Sequence, residues 1–147
     1  MDQVEVEYHP DSYDLFFKPL EAEHPELMRM LLEDFRTYQQ SMWQCLPDYF
    51  GYDAEYGYPP EVAGCLEHIH LCIPPRIFPK NAKQAYRKCR KGDPDNDVAL
   101  VYARGLFEPH RFVILGILAP DAHGKARNDL ALMRYLGSLA RAFRRDN

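Results

Sequence analysis

The sequence has no apolar run that could cross a membrane as a helix, and we expect no secretory signal from its first residues. Its longest apolar run, residues 112–119, has eight residues, whereas a membrane-spanning helix needs roughly 20. Residues 1–7 alternate between acidic and apolar side chains, so they lack the positive and apolar regions of a signal peptide. We therefore expect a cytoplasmic protein.

Closely spaced cysteine pairs, internal repeats and low-complexity tracts are also missing. The four cysteines at positions 45, 65, 72 and 89 form no Cys-x-x-Cys pair, which argues against a redox or zinc motif built on cysteine. Reduced, mostly buried thiols are what a cytosolic protein would carry.

With 147 residues, 46% of them hydrophobic and 13% aromatic, the chain has enough apolar surface for one core, so a single domain over residues 1–147 is expected.

Basic residues are scarce in the first half of the chain, and acidic residues are scarcer than basic ones in the second half. Residues 1–75 carry 15 Asp/Glu and only 3 Lys/Arg, whereas residues 76–147 carry 7 Asp/Glu and 15 Lys/Arg. Such a split predicts two differently charged faces, the basic one suited to a polyanion such as RNA. The alternative is that both charge sets intermix after folding.

Short segments with helical or strand periodicity alternate along the chain. Side chains at three- and four-residue spacing predict a helix over residues 25–40 and another over the last 20 or so residues. Segments rich in branched and aromatic residues predict strands over residues 4–9, 13–18, 66–73, 97–103 and 112–118. The glycines, prolines and tyrosines of residues 46–60 predict a loop whose aromatics either stack on bases or seal the core. The order predicts an α+β fold with a small, mostly antiparallel sheet.

Histidines in two segments predict a reaction centre. His68 and His70 lie on the same face of a predicted strand. His123 begins the basic C-terminal helix, so Lys125 and Arg127 can converge with it at the end of the sheet. Metal-free RNA cleavage needs a base for the 2′-hydroxyl, an acid for the departing 5′-oxygen and cations around the phosphorane. Histidine suits both proton roles because its ordinary pKa lies near 6.5, and Arg and Lys supply the charge.

Each of these residues also has a structural interpretation. His68 and His70 could form a hydrogen-bonded pair beneath the loop. His123 could be an exposed helix cap, and Arg127 a solubilising charge. Tyr102 alternates with core positions, so it either belongs to the core or borders the site with its hydroxyl.

Basic residues outside these segments predict an RNA- or ribosome-binding surface. Residues 76–91 hold seven cations and no acid, which predicts a basic loop or short helix. Further arginines recur every seven residues along the C-terminal helix. The predicted contacts are Arg76, Lys80, Lys83, Arg87, Lys88, Arg90, Lys91, Arg134 and Arg141.

Four stretches together carry a resemblance to a known family. They are residues 46–53 (Leu-Pro-Asp-Tyr-Phe-Gly-Tyr-Asp), residues 68–71 (His-Ile-His-Leu), residues 100–102 with Gly105, and residues 117–120 continuing through His123, Ala126 and Arg127 to residues 140–144. In this combination, which covers about residues 14–144, the sequence resembles the YafO family of bacterial type II toxins. These are ribosome-dependent mRNA interferases related to the RelE/ParE fold group.

The resemblance implies a toxin that cuts mRNA on the ribosome and is neutralised by a cognate antitoxin protein. It also implies a compact, curved, RelE-like sheet with helices on one side. Residues 1–13 look like an N-terminal extension beyond the family minimum. Related toxins place a short His/Arg segment in the active site, and here His123 and Arg127 match it. We expect His123 and His70 to transfer protons, Lys125 and Arg127 to stabilise the phosphorane, and His68 and Tyr102 to shape the pocket.

Two other functions remain open. A protein of the same fold could bind RNA or a translation component and block it without cutting. A metal hydrolase could be built on His68 and His70, because their spacing points both imidazoles the same way, with His123 as a third ligand. Since Cys-rich and His-Glu motifs are missing, we expect neither a resident metal nor another cofactor.

Overall fold

The computed structural model describes residues 2–147 and arranges them around one five-stranded sheet. The strands are β1 (Glu5–Tyr8), β2 (Phe50–Glu55), β3 (Glu67–Leu71), β4 (Val98–Arg104) and β5 (Arg111–Leu118), and the helices are α1 (Pro10–Phe16), α2 (Lys18–Glu23), α3 (Pro25–Gln40), α4 (Ala122–Asn128) and α5 (Leu130–Asp146). The strand order is β1-β5-β4-β3-β2. Among these described strands, β1 and β5 run parallel, and the other neighbouring pairs are antiparallel. The predicted α+β fold with a mostly antiparallel sheet is confirmed.

Helices cover both faces of this sheet. Successive side chains of a strand point to opposite faces, and β4 supplies both cores accordingly. Leu100 and Tyr102 belong to the core that includes α3 residues such as Phe35, whereas Val101 belongs to the core that includes α5 residues such as Leu136. The expectation of helices on one side only is therefore wrong.

Residues 13–18, predicted as a strand, are helical instead. Pro10 occupies the first turn of α1, and the His9 side chain accepts a hydrogen bond from the backbone N–H of Asp11 at 3.1 Å. Tyr13 and Phe17 are four residues apart, so a helix lets both pack on one neighbour. Their ring centroids lie 5.2 and 4.8 Å from the ring centroid of Tyr8. Proline and the cap favour helix here, and the aromatic spacing fits it.

Residues 46–60, predicted as a loop, contain β2. Phe50 is fully buried and β2 pairs with β3, with an irregularity between Phe50 and Asp53. Gly51 lies under the ring of Phe78, which would stand only 2.8 Å from an added Cβ. Glycine therefore allows a close approach of chain segments inside a strand.

The predicted C-terminal helix is two helices. The break falls at Asp129, whose carboxylate accepts a hydrogen bond from the Leu132 N–H at 3.1 Å and caps α5.

The basic run at residues 76–91 is mostly irregular, with one 3-10 turn at Gln84–Tyr86. None of the helices described within residues 2–147 is long and apolar enough to span a membrane.

Candidate active site

A pocket of about 540 Å³ lies where β2, β3 and the start of α4 meet. Its wall carries histidines, tyrosines and two cations, namely His68, His70, His123, Tyr52, Tyr56, Tyr58, Lys88 and Arg127. Three segments thus contribute to the wall: the one that joins β2 to β3, the basic loop (residues 76–91) and α4. Four of the six residues predicted for the reaction centre are brought to it.

The three histidines form a row inside the pocket. The ring centroids of His68 and His70 are 5.5 Å apart, and those of His70 and His123 are 5.2 Å apart. Alternation along β3 places the first two on one face of the sheet, as predicted. The chain reversal between β5 and α4 brings His123 beside them.

His123 is held by a buried carboxylate that sequence reasoning missed. Asp97 is 3% exposed, and its Oδ2 accepts a hydrogen bond from the His123 backbone N–H at 2.8 Å. The same oxygen lies 2.8 Å from His123 Nδ1. Because an ionised carboxylate only accepts hydrogen bonds, Nδ1 carries the proton and Nε2 keeps its lone pair in the neutral ring. The His123 side chain is 58% exposed, so this lone pair can meet a substrate.

The backbone around Asp97 fixes the segment that carries His123. The Asp97 carbonyl accepts from the Ala122 N–H at 3.1 Å, and the Pro94 carbonyl accepts from the Asp121 N–H at 2.7 Å. Asp121 has a φ of 54°, the left-handed region, and its side chain caps α4 at Gly124. A non-glycine residue held in this region is unusual, and here it directs the chain from β5 into α4.

His68 and His70 are kept neutral. Burial, aided by the neighbouring histidine rings, lowers the pKa of each to about 4. His68 also stacks on Tyr56, with ring centroids 4.0 Å apart. Both imidazoles are uncharged at physiological pH, so they add no positive charge beside His123.

Two cations, Lys88 and Arg127, complete the pocket wall. The Lys88 ammonium lies 4.2 Å from the centre of the Tyr52 ring. Neither cation forms a salt bridge with an acid among residues 2–147. Lys125, predicted here, instead donates to the Ala119 carbonyl at 2.8 Å and does not line the pocket.

Tyr102 is not brought to the pocket. It is fully buried on the opposite face of the sheet, where its hydroxyl donates to Asp53 Oδ1 at 2.6 Å. Tyr38 donates to the other oxygen of Asp53 at 2.7 Å. Burial raises the pKa of Asp53 to about 7, although the two tyrosine hydrogen bonds act in the opposite direction. Tyr102 is therefore part of a buried polar network of the fold.

Three of the predicted RNA-binding cations are hydrogen-bonded to other parts of the protein. Arg87 is buried and donates to three backbone carbonyls, those of Ala82, Pro47 and Phe50, at 3.1 to 3.3 Å. On α5, Arg134 and Arg141 bond the side chain and the carbonyl of Glu61. The remaining ones are exposed, namely Arg76, Lys80, Lys83, Lys88, Arg90 and Lys91.

One group of residues within the described part of the chain could hold a metal ion. It consists of His70, Asp97 and His123, whose potential ligand atoms all lie within 4.8 Å of one another. The predicted alternative of a metal on His68 and His70 differs from this geometry, because His68 is outside the group.

Comparison with known proteins identifies relatives of most of the chain by sequence. A family model described as "Toxin YafO, type II toxin-antitoxin system" matches residues 35–145. The chain is 32% identical, over 123 residues, to a protein named mRNA interferase toxin YafO from Escherichia coli (strain K12); the match covers 81% of this chain and 86% of that protein. No solved structure matches. The family match includes every residue of the pocket wall.

Proposed function

The chain belongs to the YafO family of type II toxins, and on this premise we propose that it is an mRNA interferase that cuts messages on the ribosome without a metal. The observation that carries the proposal is the exposed His123 held by buried Asp97 in a pocket with two cations that form no salt bridge among residues 2–147. This arrangement supplies a proton acceptor, a group that stabilises the imidazolium, and positive charge for a phosphate.

In the proposed first step, His123 Nε2 takes the proton of the 2′-hydroxyl. The 2′-oxygen attacks the adjacent phosphorus, and the bond from phosphorus to the 5′-oxygen breaks. Asp97 stabilises the imidazolium that forms, as a carboxylate does for a general base that it orients. The ring of His70, with its centroid 5.2 Å away, is neutral, so it does not oppose this protonation with a positive charge. The products are a 2′,3′-cyclic phosphate and a 5′-hydroxyl.

The two cations of the wall take the other roles. Lys88 and Arg127 stabilise the extra negative charge of the phosphorane. Arginine does not give up a proton in proteins, whereas lysine can. Lys88 is therefore the proposed acid for the departing 5′-oxygen. Lys125, whose ammonium is engaged with the Ala119 carbonyl, has no part in this mechanism.

Substrate binding is proposed to extend beyond the reaction centre. Tyr58 is 52% exposed at the pocket wall, close in sequence to Tyr52 and Tyr56. Such rings can stack on the bases of single-stranded RNA. The exposed cations of the basic loop are placed to contact phosphates of mRNA or ribosomal RNA.

The remaining family properties are proposed for this chain as well. A cognate antitoxin would neutralise it, and its site of action would be the cytoplasm, where ribosomes translate. We assign the sheet to the RelE-like group, supported by its mostly antiparallel strand pairs. Residues 1–147 would form one toxin domain with residues 1–13 as an N-terminal extension, whose strand β1 pairs with β5 at the sheet edge.

Primer extension after brief induction tests the proposal. A translated reporter message should be cut, and the same message with its start codon removed should stay intact. Cleavage with purified ribosomes should continue in EDTA at a concentration that leaves the ribosomes assembled. Growth arrest with full-length transcripts would instead identify a protein that binds without cutting.

A further inference from the structure

Three groups that commonly ligate metals converge in the pocket from separate segments. His70 comes from β3, Asp97 from the turn before β4, and His123 from α4. One nitrogen of each histidine and one carboxylate oxygen lie within 4.8 Å of one another. Two histidines and one carboxylate are a set that Zn²⁺ accepts in proteins.

A buried oxygen of Asp97 lacks a partner in this group. Asp97 is 3% exposed, and its Oδ1 has no hydrogen-bond partner among the described residues, whereas Oδ2 serves His123. An unpaired buried carboxylate oxygen is costly, so native structures usually satisfy it with a donor or a cation. The unpaired oxygen is thus a second observation that favours a bound cation.

We propose that His70, Asp97 and His123 form a Zn²⁺ site and that its occupancy switches the toxin off. Zinc holds nitrogen and oxygen ligands at about 2.0–2.2 Å, which places tetrahedral ligand atoms about 3.3 Å from one another. Since no separation in the group exceeds 4.8 Å, each ligand atom has to move closer to another by at most ~1.5 Å. Since the His123 side chain is 58% exposed, it has room for that adjustment. A fourth position stays open to water.

The inhibitory effect rests on the proposed function. Zinc removes the free lone pair of His123 Nε2 through either ring nitrogen: binding at Nδ1 leaves the proton on Nε2, and binding at Nε2 uses that lone pair for the metal. Asp97, drawn to the metal, no longer orients the free base. The metal occupies the reaction centre and does not take part in the cleavage.

Isothermal titration of the metal-free protein with ZnCl₂ tests the site without any RNA. Wild type should bind one equivalent, and the affinity should fall at least tenfold in both H70A and H123A. H68A and H24A should bind like wild type, since His68 lies outside the trio and His24 lies at the start of α3. Co²⁺ in place of zinc should give the visible absorption of a tetrahedral site in wild type and not in H123A.

The same samples then enter the ribosome cleavage assay. Stoichiometric zinc should abolish cutting by wild type, and EDTA should restore it. Absence of a bound equivalent, or equal affinity in wild type and H123A, would overturn the site. Cutting that requires zinc would overturn the inhibitory role. If metal-free protein never cuts mRNA but zinc still binds in the trio-dependent manner, the proposed function fails while the metal site stands.

Discussion

At the scale of single residues, the arrangement that matters most is the pair of Asp97 and His123. The carboxylate is buried and the imidazole is exposed, so Asp97 acts on chemistry through the ring that it orients. Oδ2 lies 2.8 Å from Nδ1, and because a carboxylate oxygen accepts hydrogen bonds, this contact favours the tautomer with the proton on Nδ1. Asp97 is thus a positioning residue of the proposed mechanism.

Asp97→Asn should lower the cleavage rate by about a hundredfold or more, the usual contribution of general acid–base help. An amide oxygen in the place of Oδ2 can still accept from the backbone N–H and from Nδ1–H of His123, but it carries no negative charge to stabilise the imidazolium. Single-turnover cleavage on programmed ribosomes measures the loss, and its dependence on pH should change together with its rate. An unchanged pH profile with a slower rate would point to a purely structural role. His24→Ala serves as the control with wild-type activity.

The buried Asp53 gives a prediction about stability. Its pKa is raised from 3.8 to about 7, so between these values the folded state holds a proton that the unfolded state has lost. Stability from this group therefore falls as pH rises through that range. Asp53→Asn resembles the protonated acid and does not titrate, so its free energy of unfolding minus that of wild type should increase from about pH 4 to pH 7 and then level off. Urea unfolding of both proteins checks this, and parallel pH curves would refute it.

At the scale of elements, the basic loop is attached to the sheet through Arg87. The backbone N–H of Tyr52 donates to the Arg87 carbonyl at 3.0 Å, and the guanidinium satisfies three carbonyls. This attachment positions Lys88, the next residue, at the pocket wall. One cation of the run thus supports the structure, whereas its exposed neighbours remain free for phosphates.

Arg87→Ala should destabilise the protein by about 2–3 kcal/mol, because buried carbonyls lose charged donors. Arg90→Ala, an exposed cation of the same loop, should leave the free energy of unfolding within about 0.5 kcal/mol of wild type. Chemical denaturation measures both. Equal stability of the two variants would mean that the Arg87 contacts contribute nothing net.

The accuracy of sequence-based prediction differed between elements for physical reasons. The helix over residues 25–40 was predicted correctly because its sequence fits only a helix. Pro25 suits a first helical turn, and Leu31 and Phe35, four residues apart, are both buried on one helix face. The side-chain pattern of residues 13–18 fits both the helical period of about 3.6 residues and the strand period of about 2. In the folded protein these residues are helical, and Tyr13 packs on Tyr8. For the site, His70 and His123 could be predicted from residue type. Asp97 could not, because its partner lies 26 positions away in sequence; an acid directly before an apolar strand was the only signal.

At the scale of the whole molecule, charge and topology act together. The acidic half supplies α3 and β2, and the basic half supplies the loop, β4, β5 and the C-terminal helices. Because the strand order places β3 between β2 and β4, the pocket forms where the two halves meet. Its histidines come from both halves, and its cations come from the basic one.

RNA binding should depend on salt through the exposed part of the basic loop. Replacing Lys80, Lys83 and Lys91 by Gln should reduce the slope of log affinity against log salt by up to about 2, since each phosphate contact on a single strand contributes about 0.7. The matched control replaces the three cations of the acidic half, Lys18, Arg29 and Arg36, by Gln and should keep the wild-type slope. Fluorescence titration of a labelled single-stranded RNA across salt concentrations measures both. A slope that falls equally in the two variants would contradict a localised binding surface.

The central claim is that the pocket around His123 is where mRNA is cut. The most direct measurement is cleavage of a translated message by His123→Ala on purified ribosomes, with circular dichroism and thermal melting to verify the fold. Because the His123 side chain is largely exposed, the variant should fold and melt like wild type. We predict that it leaves the message intact over times in which wild type cuts it fully. A folded variant that cuts at the wild-type rate would contradict the account.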